Sequence, residues 1–188
     1  MILLGLLASL SAHAAAMESA PATWDQIMST LRTVRHVNAR YVEHRYLHIL
    51  KSPIEMRGAL HFNAPDHLQK VADNGTERLT VDGDRLTIDR GSGSPVVIAL
   101  HEHPEIGILI ESIRALLSGD GDVLRRLFDV TVSGTLDHWQ IVLQPRDPAE
   151  RKLLQWMRVS GYAERITAID TVDGDGDRSD MNIVEQVP

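Results

Sequence analysis

The chain has 188 residues, a formal net charge of −7 and no cysteine. A chain of this length can form one domain with a substantial core, and here the core must hold without disulfides. The acidic balance argues against nucleic acid or an anionic bilayer surface as a partner, because both reward basic patches.

Residues 2–16, ILLGLLASLSAHAAA, are a short apolar run that ends in small residues. Ala12-His13-Ala14 fits the A-x-A pattern cut by signal peptidase, so residues 1–14 are expected to be a signal peptide removed near Ala14. The run is too short for a stable membrane anchor, and no Lys or Arg precedes it. With no cysteine at the cleavage site the product cannot be lipidated there. Residues 15–188 are therefore expected to be a single, monomeric, soluble domain in the periplasm.

Thr23 and Gln26 stand at capping-box spacing. Trp24, Ile27, Met28, Leu31 and Val34 then recur at helical intervals, predicting an amphipathic helix to about residue 36. Beyond it the period becomes two. Met56, Gly58, Leu60 and Phe62 alternate with Glu55, Arg57, Ala59 and His61, as in a strand with one buried face, and Pro65 breaks it. Residues 67–72 follow as a strand. Leu79 and Val81, then Leu86 and Ile88, flank Asp82-Gly83-Asp84 as a hairpin over 76–90. Gly91–Pro95 is a turn, and Val96–Leu100 a short strand.

Pro104 opens a helical insert. Ile106, Leu109, Ile110, Ile113, Leu116 and Leu117 share one face, Glu105, Glu111, Ser112 and Arg114 the other, and Gly119 can end the helix. A second short helix carries Val123, Leu124, Leu127 and Phe128, with Asp122 as its expected cap. Strands are expected again over 129–133, 138–144, 156–160, 163–172 and 180–186. The sum is an α+β fold with an antiparallel sheet.

No catalytic constellation is legible: the chain lacks G-x-S-x-G, H-E-x-x-H and a phosphate-binding glycine loop. His101-Glu102-His103 offers two imidazoles without a third ligand at readable spacing, so it reads as a polar loop. Asp173, Asp175, Asp177 and Asp180 begin like a calcium loop, but Arg178 stands where the loop needs Gly and Val184 where it needs Glu. The expectation is a protein that is not an enzyme and takes no cofactor or metal.

A sheet with one apolar face needs a cover. The helices can be permanent core, or a lid over a cavity lined by Leu, Ile, Val and Met that accepts an acyl chain. A dry void of a few hundred Å³ costs roughly 5–10 kcal/mol, rivalling the stability of a whole domain. A chain of about 15 methylenes gains on the order of 12 kcal/mol on leaving water, enough to offset the opening. On this reading Leu60, Phe62, Leu79, Val81, Leu86 and Ile88 line the sheet side, and Ile106, Leu109, Ile110, Ile113 and Leu117 form the lid face.

Leu31-Arg32-Thr33-Val34 leading into Ala39-Arg40-Tyr41-Val42-Glu43, Ser52-Pro53, and Arg57-Gly58-Ala59-Leu60-His61-Phe62-Asn63-Ala64-Pro65 carry a family resemblance. So do Leu79-Thr80-Val81-Asp82-Gly83-Asp84, Trp139-Gln140-Ile141-Val142-Leu143-Gln144-Pro145 and Asp173-Gly174-Asp175-Gly176-Asp177-Arg178. In this order they resemble the LolA-type periplasmic carriers of outer-membrane lipoproteins. Each motif is loose, and the strength lies in their succession along the whole mature chain. The resemblance implies an incomplete antiparallel β-barrel, a curved sheet covered by an N-terminal helix and a helical lid insert. It also implies a lipoprotein or other acylated lipid cargo, a transient inner-membrane donor and an outer-membrane acceptor. Such carriers commonly have Arg before the proline that ends the G-x-L-x-F strand, where it ties the lid shut; here that residue is Ala64. Asp66-His67-Leu68-Gln69-Lys70-Val71 also replaces an aromatic-rich strand. These departures point toward LolA-like relatives that handle other lipid-linked envelope products, such as glycolipids or polyene lipids. A regulatory module sensing lipid on the same fold is the alternative, and a lipid hydrolase a third class.

Overall fold

The computed structural model describes residues 20–187; the expected signal peptide and its cleavage point lie outside the described residues. Helix α1 (Trp24–Leu31) opens with the expected capping box: the Gln26 amide donates to Thr23 Oγ1 at 3.3 Å, and the Thr23 amide to Gln26 Oε1 at 2.9 Å. It ends at Leu31 rather than near residue 36, because His36 already begins a strand. Trp24, Ile27, Met28 and Leu31 are all buried.

Five strands and a short sixth follow as a meander: β1 (His36–Tyr46), β2 (Ile54–Asn63), β3 (His67–Ala72), β4 (Arg78–Asp82), β5 (Arg85–Asp89) and β6 (Val96–Ala99). The pattern predicted all but β1. That strand turns Ala39, Tyr41 and Glu43 to its buried side, and a carboxylate among them blurs the apolar alternation that marks a half-buried strand. A 3-10 turn (Leu100–Glu102) leads into α2 (Pro104–Ser118) and α3 (Gly121–Leu127). The cap of α3 is Asp120, whose side chain accepts from the Val123 amide, and not Asp122. Ser112, expected on the solvent side of α2, is fully buried and returns its hydroxyl proton to the Ile108 carbonyl. The remaining strands are β7 (Phe128–Thr135), β8 (His138–Pro145), β9 (Leu154–Tyr162), β10 (Arg165–Asp173) and β11 (Arg178–Val187); all but β10, which starts two residues later than expected, are somewhat longer than their apolar patterns indicate.

All eleven strands join one antiparallel sheet in the order β6-β5-β4-β3-β2-β1-β11-β10-β9-β8-β7. Strands β6 and β7 are its two edges, so the sheet is not closed into a barrel. The helical insert connects those edges in the chain. Both ends of the open sheet are thus tied by α2 and α3, as the incomplete-barrel expectation requires.

The interior divides into two cores. The larger joins α1, α3 and β7–β10 through Trp24, Ile27, Leu124, Phe128, Trp139, Ile141, Met157 and Val159, with Ile108, Ala115 and Leu116 of α2. The smaller holds Val81, Leu86 and Leu100, with Leu68, Leu79, Ile88 and Ile98 packed around them. Helix α2 touches both: Ile106 and Ile110 meet the smaller core, whereas Leu109, Ile113 and Leu117 meet the larger. Gly119 ends α2 with φ +65, and a Cβ there would stand 2.5 Å from the Met28 carbonyl and 2.6 Å from the Arg32 amide. Only glycine both adopts that conformation freely and lets the helix end lie on the end of α1, where Arg32 Nη2 donates to the Gly119 carbonyl at 3.0 Å.

Candidate functional site

Register places the residues of the site in rows. Val37, Phe62, Leu68, Val81, Leu86 and Ile98 face one another across β1 to β6. Beside them run Ala39, Leu60, Lys70, Leu79 and Ile88. On the other side of β1, Glu43 opens the row Met181, Ile169, Val159, Ile141 and Val132. Side chains of one strand face alternate with the other, so each row presents its apolar groups to one side of the sheet. Residues of all three rows, with the apolar face of α2, line a cavity of about 720 Å³ between the two cores.

Every residue expected on the sheet side lines this cavity: Leu60, Phe62, Leu79, Val81, Leu86 and Ile88. The five expected on the lid, Ile106, Leu109, Ile110, Ile113 and Leu117, line it as well. The helix is not a free flap, however, because its other side is also buried through Ile108, Ser112 and Ala115. Sequence reasoning missed the wall supplied from the far half of the chain, Ile166 and Ile169 of β10 and Met181 and Ile183 of β11, together with Leu31 at the end of α1 and Val34 just after it. Alternation marked those strands as half-buried, but nothing local says which cavity a face looks into.

The volume falls in the range of small-molecule sites. The Leu, Ile and Val walls of the cavity favour hydrocarbon over water.

One part of the wall is polar. The Lys70 ammonium donates to Glu43 Oε2, and the Ser179 hydroxyl donates to Glu43 Oε1 at 2.6 Å. The Glu43 side chain is 6% exposed and that of Lys70 19%. Burial pushes the Glu43 carboxyl up, but the Lys70 charge and the hydrogen bonds from Lys70 and Ser179 outweigh it and hold the group below its ordinary range. Lys70 Nζ also lies 5.0 Å from the centroid of the Tyr41 ring. Burial, reinforced by the Glu43 charge, pushes the Tyr41 hydroxyl up to about 12, and that buried hydroxyl has no hydrogen-bond partner.

The loops that invited a metal reading serve other ends. His101 pairs with Asp84 at the β4–β5 turn, and the Asp173 carboxylate accepts the Asp175 and Asp177 amides at 3.0 and 2.9 Å, closing the β10–β11 turn on itself. Among the described residues no group of three or more His, Cys, Asp or Glu is placed to hold a metal ion. No helix among them is long and apolar enough to cross a membrane. A separate concavity of about 770 Å³, more open to solvent, lies along α2 between Arg32, Asp84, His101, Glu111 and Arg114. Its charged rim does not suit hydrocarbon.

An open antiparallel sheet, bridged edge to edge by helices over an apolar cavity, is the architecture of a carrier of apolar ligands. The chain belongs to the family described as outer membrane lipoprotein carrier protein LolA-like, whose profile matches residues 14–183. That family is one of carriers rather than catalysts. Among solved structures, the chain is similar to a LolA superfamily protein from Nitrosomonas europaea at 11% identity, covering 89% of this chain and 96% of that one, with a TM-score of 0.45. It is also similar to a DUF1329 family protein from Desulfovibrio piger at 10% identity, covering 87% and 90%, with a TM-score of 0.49. No curated protein matches the chain.

Proposed function

We propose that the protein is a soluble periplasmic carrier that shields the acyl chains of a lipoprotein or another lipid-linked envelope molecule. Cargo would be taken from a transient inner-membrane donor and passed to an outer-membrane acceptor. The observation that carries this reading is the 720 Å³ cavity held open between two separate cores. A protein selected only for stability would close such a space, since filling it with side chains is worth several kcal/mol. Apart from the polar lining residues, aliphatic walls come from β2 to β5, from β10 and β11, and from α2. They offer a chain of methylenes dispersion contacts without demanding a fixed shape.

Helix α2 is the movable part that this function needs. It bridges both cores, so lifting it would open the cavity while leaving the strand ladder intact. The experiment is delipidation and refolding, followed by titration with a fluorescent fatty-acyl probe. Saturable binding near one probe per chain is expected, and its absence would overturn the proposal. Extraction of the protein as purified should also return organic-soluble, acylated material by mass spectrometry.

A further inference from the structure

The polar corner of the cavity has a direction that aliphatic walls do not explain. Lys70 stands between Leu60 and Leu79 in its cross-strand row, and Glu43 heads a row that is otherwise Met, Ile and Val. A buried ion pair is a weak stabiliser, often matched or exceeded by apolar side chains of similar volume. Two charges set into aliphatic rows at a cavity wall therefore invite a role beyond holding the sheet.

The hydrogen-bond inventory shows which partner is lacking. Both Glu43 oxygens are taken, one by Lys70 and the other by Ser179, with Arg45 Nε 4.0 Å from the latter oxygen. The acceptor side of the pair is satisfied. The ammonium has three protons to donate, and Glu43 is its one hydrogen-bond acceptor among the described residues. The spare capacity at this wall is donor capacity.

The surroundings have the same sense. Arg45, near the end of β1, and Arg90, just after β5, line the cavity and are exposed. By register they share an end of the sheet with Lys70: Arg90 flanks the open end of the hairpin whose tip is Gly83, and Arg45 lies opposite Ser179. Three cations thus meet two carboxylates there, Glu43 and Glu77, in a chain whose net charge is −7. Beneath α2 the wall is Phe62, Leu68, Val81, Leu86 and Ile110, and His36, Asn38, His61, Glu164 and Arg165 also line the cavity. Lys70 thus has aliphatic wall directly beside it, in the next cross-strand row.

We infer that Lys70 is a head-group contact for an anionic amphiphile, whose phosphate or carboxylate meets the ammonium while its hydrocarbon chain runs under α2. Glu43 and Ser179 hold the ammonium against the wall, and Arg45 and Arg90 draw the anion to the opening. This rests on the carrier reading of the same cavity and adds to it the charge class of the cargo.

The test compares cis-parinaric acid with its methyl ester by fluorescence. Oleate, 1-oleoyl lysophosphatidate, methyl oleate and monoolein serve as competitors, so that carboxylate and phosphate are ranked against neutral heads on matched chains. The intact protein is expected to bind the acidic members at least about tenfold more tightly than the neutral ones, the scale of one hydrogen bond to a charged group. In Lys70→Met that preference should vanish while the neutral ligands bind within about twofold of before. Because this variant leaves Glu43 unpaired in a buried site, Lys70→Met with Glu43→Gln is measured alongside it, with circular dichroism to verify folding. Equal binding of acid and ester by the intact protein, or a preference that survives in a folded double variant, would overturn the inference and leave the carrier reading standing. Failure of every probe to bind the intact protein would remove the carrier reading, and this one with it.

Discussion

Arg114 of α2 donates from Nη1 to the main-chain carbonyl of Gly83, 3.0 Å away at the tip of the β4–β5 hairpin. Its other terminal nitrogen lies 3.5 Å from Asp66 Oδ2, just after Pro65. These contacts tie α2 to the β4–β5 hairpin tip and to the turn between β2 and β3, two residues beyond Ala64. His101, at the turn leading into α2, pairs with Asp84 of the same hairpin tip. The helix is therefore fastened to the sheet at its polar edge while its apolar face lines the cavity.

Removing this tie should loosen α2 without unfolding the sheet. In Arg114→Ala, a charged hydrogen bond to a main-chain carbonyl is lost, worth about 1.5–3 kcal/mol where water is excluded and less at this partly exposed site. Amide exchange in α2 is expected to quicken by roughly tenfold, with probe association and release both faster. Exchange rates unchanged in α2 would show that Arg114 does not restrain it.

A charge placed on the lid face should abolish loading. Ile110 packs against the smaller core and lines the cavity. In Ile110→Asp a carboxylate would have to lose water to sit there, at a cost of several kcal/mol. Saturable binding of the acyl probe should disappear while the strand signal in circular dichroism persists. Normal loading would refute the assignment of this face.

Gly58 and Tyr41 face each other across β1 and β2, and the ring occupies the space a side chain at 58 would need. A Cβ there would stand 2.0 Å from the Val71 carbonyl oxygen and 2.7 Å from Tyr41 Cε1. Because one obstacle is main chain, Gly58→Ala should lower stability by about 2–4 kcal/mol, read from the urea midpoint. Tyr41→Phe is expected to be neutral or to stabilise the unliganded protein by up to about 1–2 kcal/mol, since it deletes a buried hydroxyl with no partner. Spectrophotometric titration should find a tyrosine ionising only near pH 12, absent in Tyr41→Phe. The folded state keeps that proton longer than the unfolded one, so its contribution is full below about pH 10 and lost as pH rises through 12.

Glu43 predicts the opposite pH behaviour. Its carboxyl is held below the ordinary value of 4.5, so the unfolded state takes up the proton first on acidification. The stability it contributes is present above the ordinary carboxylate range and is lost as pH falls through the lower folded value. Unfolding measured between pH 6 and about pH 3 should show this loss, and Glu43→Gln should flatten it. The same variant should be less stable at neutral pH, because Lys70 keeps its charge and loses its partner.

Much of the site was legible locally because its residues repeat at the period of their element. Ile106, Leu109, Ile110, Ile113 and Leu117 fall on one helical face whatever they pack against, and Leu79, Val81, Leu86 and Ile88 mirror each other across a turn marked by Asp-Gly-Asp. Ser112 went wrong for an instructive reason: a small polar side chain can satisfy itself on the preceding helical turn, so its polarity does not report exposure. Strand β1 escaped because Glu43 interrupts its apolar face, and the same interruption concealed Lys70, whose partner lies 27 positions away.

The amino-acid sequence alone determined most of the helix and strand segments, β1 excepted, which apolar side chains share a face, and that the fold is an antiparallel α+β one with a helical insert. Periodicity is a local property, and those features need no more than neighbours a few residues apart. Only the tertiary structure decided that β1 pairs with β11, that two cores form instead of one, and that Glu43 and Lys70 meet at the cavity wall. These depend on pairings between distant strands, which are chosen by the packing of the whole sheet against its helices and carry no mark in any single segment.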